Sequence, residues 1–391
     1  MTWQTRIVAL PEVSGEDFDK WKALADRAIE PNVYLDPRFL VPAGRLRPDA
    51  ADIRVVMVER DGELHAVHQF SLGKLEDRWP ARVVTTSGAF MSIHADRHHP
   101  LVAPSDPVGA LTALLDALRA APLPGLVLIK YLPADGPLAD AMAEALASRR
   151  MTSSERVRRS SAYAAVGSRP APSEGVVEVP HLGSGTRKDF RRRGRAIERD
   201  AGGEFAVRDR AETPGLVEDF LEFQASGWKG DPEKGGGAFK LDPVHERWYR
   251  EVMSYFLADG HVVAPELVAG DERVFLAIDL VSGGAAFGFI DAYSERFARH
   301  SPGALGRIAE WRYILSHTDA THYDPAFDPY YSASTRLYPD RRDHVDLLIA
   351  TDRRGRAVLR ALPLARRARE VVRRIVGRVR GDRGGVTDAA E

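Results

Sequence analysis

The chain has 391 residues, of which 44% are hydrophobic and 28% charged, as is typical of a folded globular protein of about two domains. It contains no cysteine, which excludes disulfides, a thiolate nucleophile and cysteine-ligated metal sites. No window approaches the roughly 18 apolar residues of a membrane-spanning helix, and the first residues do not resemble a signal peptide. We therefore expect a cytoplasmic protein.

The first half of the chain alternates between strand and helix patterns. Ser14 and Asp17 form a capping-box-like helix start, and Asp61-Gly62 predicts a tight turn between two strands. A helix from Asp106 is expected to be capped by Ser105. The predicted strands are 53–60, 63–72, 83–86, 126–131 and 156–166, and the other predicted helix is 136–149.

The second half repeats this order of elements. A strongly basic helix begins near Ser184 and is stopped by Gly202-Gly203, and Thr213-Pro214 and Asp242-Pro243 start two more helices. Further predicted strands are 262–269, 273–281, 285–293, 321–323 and 345–350, and further helices follow Ser301 and cover 328–338.

The agreement between the two halves predicts the fold class. Each half shows paired strands, a helix, a strand, a second helix and a last strand, which indicates an α/β fold with an α+β mixed sheet. A segment rich in proline, glycine and serine indicates a linker. The predicted organisation is a first lobe (1–166), a linker (167–175), a second lobe (176–352) and a basic tail (353–391).

The helix that follows strand 285–293 starts with Ser301-Pro302-Gly303, and this start has two interpretations. In the mechanical one, Ser301 caps the helix, Pro302 occupies the first turn and Gly303 eases the bend. In the chemical one, the free N–H groups of the helix start bind a phosphate, which the glycine allows to approach closely. Arg299 and Arg307 flank the junction.

Several segments of the second half occur together in an order that resembles the GNAT acyltransferase superfamily. They are the basic helix, the GWKG loop (227–230), the segment from Ala292 to Gly303, and Asp324. The resemblance is closest to its two-lobed branch, which is related to CelD-type cellulose-biosynthesis proteins and to FemABX peptidoglycan aminoacyltransferases. Ile290, Ser294 and Tyr331 stand where that branch usually has a lysine, an acidic residue and a second lysine.

The resemblance implies tandem GNAT-like lobes and direct attack of an amine on the thioester of an acyl-CoA. It implies Glu295 and Asp324 as candidates for the general base, with Asp291 as a third. Tyr330 or Tyr331 would give a proton to the departing thiolate. The alternative for these side chains is structural, as solvated or capping carboxylates and as packed rings.

The resemblance also places the binding residues. The implied donor site for acyl-CoA comprises Arg299, Ser301, Gly303, Ala304 and Arg307. The implied acceptor site comprises Trp228, Lys229, Asp291 and Tyr293, although Trp228 would otherwise anchor a glycine-rich loop. No metal is expected, because His94, His98 and His99 lack the helical ligand spacing of a metal site and indicate a polar loop.

The basic tail is a separate feature of the sequence. Residues 353–383 contain twelve arginines against Glu370 and Asp382. Within 362–381 an apolar stripe bordered by arginine predicts a basic amphipathic helix that contacts anionic membrane at its surface. The alternative is docking on the acidic remainder of the chain. Nucleic acid is not favoured, because no aromatic residues interleave with the arginines.

Three functions remain open on the sequence. The first is N-acyl transfer from acyl-CoA to a small-molecule amine, such as an amino sugar or a cell-envelope or polysaccharide precursor. The second is aminoacyl transfer from aminoacyl-tRNA, in which the basic helix at 184–201 would bind the tRNA. The third is a catalytically inactive scaffold of an envelope-synthesis complex, which the loss of the branch's lysines would explain.

Overall fold

The computed structural model describes residues 2–75, 81–171, 175–327 and 332–364. The strands are β1 (Gln4–Ala9), β2 (Arg54–Arg60), β3 (Glu63–Lys74), β4 (Arg82–Thr85), β5 (Leu101–Val102), β6 (Leu126–Pro133), β7 (Thr152–Ala165), β8 (Phe205–Asp209), β9 (Val262–Val263), β10 (Pro265–Ala269), β11 (Glu272–Ser282), β12 (Ala285–Tyr293), β13 (His322–Asp324) and β14 (Asp340–Ala350). The α-helices are α1 (Gly15–Ala25), α2 (Pro37–Leu46), α3 (Ala89–His94), α4 (Pro107–Ala120), α5 (Pro137–Ser148), α6 (Ser184–Ala201), α7 (Leu216–Ser226), α8 (Pro243–Ala258), α9 (Pro302–His317), α10 (Ser332–Thr335) and α11 (353–364).

The strands of the described residues form one mixed sheet that runs through both halves of the chain. Its order is β1-β2-β3-β4-β6-β14-β7-β13-β12-β11-β10-β8, and β5 and β9 add to β3 and β11. The pairs β4–β6 and β12–β13 are parallel and the other pairs are antiparallel. The predicted mixed α/β fold is therefore confirmed.

Each half contains the same unit, a parallel strand pair joined by a helix. In the first half α4 connects β4 to β6, and in the second half α9 connects β12 to β13. The second half of the chain also supplies a strand to the first half's part of the sheet. This strand is β14, which follows the second unit in the chain but lies between β6 and β7. The predicted lobe and linker boundaries stay predictions.

Helix starts follow local sequence in most cases. The Ser14 hydroxyl accepts a hydrogen bond from the Asp17 N–H, as predicted, and the Asp242 carboxylate caps α8 by accepting from Val244. The predicted cap of α4 is wrong by one residue. Asp106, not Ser105, accepts from the Gly109 N–H, because the Ser105 hydroxyl instead contacts His65.

Helices pack on both faces of the second half's sheet. On β11, Leu276 and Ile278 belong to the apolar cluster that contains Trp248 of α8. Phe275 and Ala277 alternate with them and belong to the cluster that contains Leu305 and Ile308 of α9. Since side chains of a strand alternate between faces, α8 and α9 lie on opposite faces of this sheet.

The tail prediction lies mostly outside the described residues. Within them, α11 packs Leu359 and Leu362 against a small apolar cluster, while Leu364 is exposed. Among the helices that the structure describes, none combines the length and apolar character needed to cross a bilayer.

Candidate active site between β12 and β13

A cavity opens where the two parallel strands of the second half part. Ala286 pairs with Tyr323 and Phe287 with Asp324, and the pairing of β12 with β13 stops there. Gly288–Asp291 on one side and Pro325–Phe327 on the other then line a cavity of about 310 Å³. The first half of the chain contributes Tyr34, Ile93, His94 and Asp96 to its wall.

A bulge in β12 lies at the mouth of this opening. Ile290 pairs with Ile278 of β11 and Gly288 pairs with Asp279, so Phe289 is left without a partner residue in β11. A bulged residue does not take part in the regular hydrogen bonding between the strands, so its backbone N–H and C=O groups can point away from the neighbouring strand. Phe289 also lines the cavity.

One end of the cavity holds a charged group centred on Asp291. The Lys229 ammonium donates to Asp291 Oδ1 at 3.1 Å, and the Arg307 guanidinium donates to Asp291 Oδ2 at 2.7 Å. Burial opposes ionisation of this carboxyl, but the charges of Arg307 and Lys229 prevail and hold the pKa of Asp291 at about 2. Asp291 is therefore an anion at neutral pH and a poor proton acceptor.

A second carboxyl, Glu310, also lines the cavity and differs from Asp291 in its surroundings. Glu310 lies one helical turn after Arg307 on α9, and the Tyr323 hydroxyl donates to its Oε1 at 2.8 Å. The same hydroxyl lies 3.2 Å from Asp279 Oδ1. Burial, together with the negative charge of Asp291, raises the pKa of Glu310 to about 7. Glu310 can therefore take up or release a proton near neutral pH.

Asp279 and Glu310 are neighbouring carboxyls, and Asp279 behaves as the protonated member of this pair. It is fully buried, and burial together with the nearby Glu310 raises the pKa of Asp279 well above its ordinary value. Its second oxygen, Oδ2, is buried and has no hydrogen-bond partner among the described residues. Two adjacent carboxyls in a buried site do not both ionise readily, so Glu310 is the one left to titrate.

The structure brings together three of the residues predicted from the sequence. Lys229, Asp291 and Arg307 meet at the charged end of the cavity. Trp228 and Tyr293 do not line it. The Trp228 N–H donates to Glu295 at 2.6 Å, so Glu295 fastens the loop that carries Trp228 and lies outside the cavity lining.

Asp324 is buried in an ion pair that joins the two halves. Its two oxygens accept from Nε and Nη2 of Arg97, each at 2.7 Å, and Oδ1 also accepts from the Ala326 N–H. The loop after Asp324 lines the cavity, and its Phe327 ring lies 4.6 Å from the Arg307 guanidinium. Asp324 thus fixes a wall of the cavity rather than facing its interior.

The start of α9 differs from the mechanical interpretation. Ser301 adopts a left-handed conformation with φ of 58°, and its hydroxyl contacts Arg193 of the basic helix α6 instead of capping α9. A short 3-10 helix, Glu295–His300, separates β12 from α9. Pro302 occupies the first turn, as predicted.

The other residues of the predicted donor site are dispersed. A Cβ on Gly303 would lie 3.0 Å from the Tyr293 ring, and the Ala304 N–H donates to the Ser301 carbonyl at 3.1 Å. Arg299 is exposed and pairs with Asp200 at 2.7 Å. Only Arg307 of this set lines the cavity between β12 and β13.

The structure does not test the predicted role of Tyr330 and Tyr331. Tyr330 and Tyr331 lie outside the described residues, so the proposed donor of a proton to the thiolate stays a prediction. No group of metal-ligating side chains occurs within the described residues. The loop expected to be polar instead buries His98 and His99, each 1% exposed.

Sequence reasoning missed Glu310, Tyr323 and His94 as cavity residues. Glu310 carried a signal, because it is the one acidic residue in the otherwise apolar and basic run from Ala304 to Leu315. Tyr323 and His94 carried none, because only the pairing of β13 with β12 and the contact between the halves bring them to the site.

A comparison with known protein families indicates what kind of domain contributes to this cavity. Residues 184–312 match the family described as "Acetyltransferase (GNAT) domain". This part of the chain is therefore similar to a GNAT domain. The match includes Lys229, Asp291, Arg307 and Glu310, and it confirms the prediction of a GNAT-type transferase. The assignment to the CelD-type branch stays a prediction.

Solved structures extend the comparison to both halves of the chain. The crystal structure of FemX is similar with a TM-score of 0.52 at 12% identity, covering 88% of this chain and 98% of that one. A conserved protein of unknown function from Bacteroides thetaiotaomicron VPI-5482 has a TM-score of 0.50 at 11% identity, covering 89% and 100%. At such identities the likeness concerns the fold alone. No curated protein sequence matches the chain.

Proposed function

We propose that this protein is an N-acyltransferase that moves an acyl group from acyl-CoA to an amine in the cavity between β12 and β13. The observation that carries the proposal is the position of a buried carboxyl, Glu310, in the lining of an opening between parallel strands, in the segment that matches the GNAT domain; burial also raises the pKa of this carboxyl. A group that titrates near neutral pH is suited to accept a proton from an attacking amine.

Residues around the cavity supply what the transfer step requires. The amine nitrogen attacks the thioester carbonyl carbon, a C–N bond forms, the C–S bond breaks, and Glu310 accepts the proton that nitrogen loses. The backbone N–H of the bulged Phe289 is the candidate donor to the developing oxyanion. The departing thiolate takes up one proton from water or from a tyrosine. No step needs a metal.

The donor diphosphate would bind at the start of α9. The helix N-terminus attracts anions, Gly303 provides a backbone position without a side chain, and Arg193 lies beside Ser301. The sequence named Arg193 only as part of the basic helix, one interpretation of which was binding of a CoA or tRNA phosphate, and in this proposal Arg193 replaces Arg299 as the cation of the site. From here the pantetheine would reach the cavity through the opening between β12 and β13.

By resemblance alone, the acceptor would be an amine on a sugar or on a cell-envelope precursor.

The alternative donor, aminoacyl-tRNA, is favoured by one observation: α6 exposes Lys188, Arg192, Arg195 and Arg199 and contacts the start of α9 through Arg193. Peripheral contact of the tail at 362–381 with anionic membrane is likewise a proposal that rests on the sequence pattern.

A thermal-unfolding screen with CoA species and with aminoacyl-tRNA tests the donor. We expect acetyl-CoA, longer acyl-CoAs and free CoA to stabilise the protein, by about 2.7 kcal/mol when the ligand is present at 100 times its Kd. Ala304→Glu places a carboxylate in the first turn of α9, where it suits the helix but repels a diphosphate. Ala304→Gln is the matched neutral control.

The outcomes separate the candidate functions. Stabilisation by CoA species in wild type and Ala304→Gln, weakened in Ala304→Glu, supports the acyl-CoA proposal. Stabilisation by aminoacyl-tRNA alone supports the alternative donor. If none of these ligands stabilises the protein, both transferase proposals are overturned and the catalytically inactive scaffold remains as the candidate function.

A further inference from the structure

One part of the cavity wall is aromatic. It is formed by Ile93 and His94 of α3, Phe239, His245 and Trp248 in and before α8, and Phe289 of the bulge. We call these six residues the aromatic end. The rings form a continuous surface: the Trp248 centroid lies 5.4 Å from those of His94 and His245 and 5.9 Å from that of Phe289.

The two imidazoles of the aromatic end are uncharged at neutral pH. Burial, and then the positive charge of nearby Arg47, lower the pKa of His94 and the pKa of His245 to about 4 each. Arg47 itself is paired with Asp49 at 2.9 Å and lies behind the Trp248 ring. The aromatic end therefore presents neutral rings to the cavity.

The position of the aromatic end separates it from the proposed donor site. His245 and Trp248 belong to α8, which packs on the face of the sheet opposite α9. A donor held at the start of α9 would enter through the opening between β12 and β13, from the face of the sheet opposite α8. The space at the aromatic end is left for the acceptor.

The chemistry of this space fits an amine attached to an apolar group. Glu310 lines the cavity, so a carboxyl group is available to the amine nitrogen. The aromatic end offers a sugar few partners, since its side-chain polar atoms are the imidazole nitrogens and the Trp248 indole N–H, which already donates to the Phe39 carbonyl at 3.4 Å. Sugar hydroxyls left without partners on binding would each cost free energy.

We propose that the aromatic end is the acceptor subsite and that the acceptor is an amine carrying an aromatic or branched apolar group close to its nitrogen. This inference rests on the proposed acyl transfer and narrows its acceptor class. Ile93, which is 72% exposed at the rim, would cover the outer edge of the bound apolar group.

The test uses the full chain with acetyl-CoA and measures released CoA with a thiol reagent, for which the absence of cysteine gives a clean background. The acceptors are 2-phenylethylamine, 3-methylbutylamine, methylamine and glucosamine. We expect kcat/KM for the first two to exceed the values for methylamine and glucosamine by about tenfold or more, the range that apolar pockets discriminate.

Two variants assign the preference to the aromatic end. Ile93→Lys places a charge at the rim and, because Ile93 is exposed, should leave the fold intact. It is expected to lower kcat/KM for 2-phenylethylamine about tenfold, and by a larger factor than kcat/KM for methylamine. Val157→Lys is the control, because Val157 is also exposed and lies in β7, outside the cavity lining.

The failures of the two proposals differ in this experiment. If methylamine or glucosamine is as good an acceptor as 2-phenylethylamine and 3-methylbutylamine, the acceptor inference is overturned while acyl transfer stands. The inference is also overturned if Ile93→Lys and Val157→Lys behave alike. If no CoA species binds and no amine releases thiol, acyl transfer fails and the inference fails with it.

Discussion

At the scale of single residues, proton transfer depends on the contrast between Glu310 and Asp291. Both carboxyls line one cavity, yet two cations hold Asp291 ionised while burial raises the pKa of Glu310 to about 7. We predict that kcat/KM rises with pH through a step near pH 7, because Glu310 must lose its proton before it can accept one from the amine. Glu310→Gln is expected to lower kcat/KM about 10²–10³-fold and to abolish this step, as measured by thiol release between pH 5.5 and 9.

The matched control for this prediction is Glu295→Gln. Glu295 is one of the three carboxylates that the sequence put forward as base, with Asp324 and Asp291, and it lies outside the cavity lining, bound to the Trp228 N–H. Its replacement should leave the step near pH 7 in place. The opposite pattern, with the step lost in Glu295→Gln and kept in Glu310→Gln, would return the role of base to Glu295.

At the scale of elements, the opening between β12 and β13 depends on Gly288. A Cβ at this position would lie 2.9 Å from the Tyr323 hydroxyl and 2.9 Å from the Pro325 carbonyl, closer than ordinary contact. We predict that Gly288→Ala displaces Tyr323 from Glu310 and lowers kcat/KM by about tenfold or more. Overpacking of this kind should lower the free energy of unfolding by about 1–3 kcal/mol, measured by urea denaturation.

Gly185→Ala provides a comparison in the same domain. Gly185 lies in the first turn of α6, and nothing lies within 4 Å of a Cβ placed there. Its activity should equal that of wild type. Equal loss of activity in both variants would show that the effect of Gly288→Ala does not come from the opening.

The elements themselves were largely predictable, because local chemistry sets them. Asp61 and Gly62 both have positive φ, as the predicted turn requires, and Gly202 ends α6 in a left-handed conformation. The errors occur where a distant partner takes the capping group. Ser105 is engaged by His65 and Ser301 by Arg193, so neither hydroxyl is free to cap its helix.

The candidate site was less predictable than the elements, because it forms from contacts distant in sequence. Lys229, Asp291 and Arg307 were named from the sequence, through the resemblance and their nearness to the helix start. His94 reaches the cavity from a different half of the chain, and no pattern along the sequence links it to Glu310. The bulge that frees Phe289 likewise follows from its pairing with β11, not from its own neighbours.

At the scale of the whole molecule, the two halves are joined by more than a linker. Strand β14 completes the first half's part of the sheet, and one apolar cluster contains residues of α1, α2, α7 and α8. Ion pairs also link the two halves of the sequence: Arg97 with Asp324, which is buried, and Arg342 with Glu30, which is partly buried. Because the cavity takes its wall from both halves, its shape depends on how they are held together.

The Arg97–Asp324 pair is the most direct test of this dependence. The side chains are 1% and 5% exposed, so removing one partner leaves the other charge buried without compensation. We predict that Arg97→Met lowers the free energy of unfolding by about 3–5 kcal/mol in urea denaturation. It should also lower kcat/KM, because the loop from Asp324 to Phe327 loses the contact that fixes it.

Adding Asp324→Asn to Arg97→Met removes the unpaired charge and serves as the control. The double variant should recover a substantial part of the lost stability, because a neutral amide costs less to bury than a carboxylate. It should recover less of the activity, since nothing replaces the bidentate hold of Arg97 on the loop. If the double variant is no more stable than Arg97→Met, the destabilisation comes from lost packing of Arg97, and the ion pair does not hold the halves together.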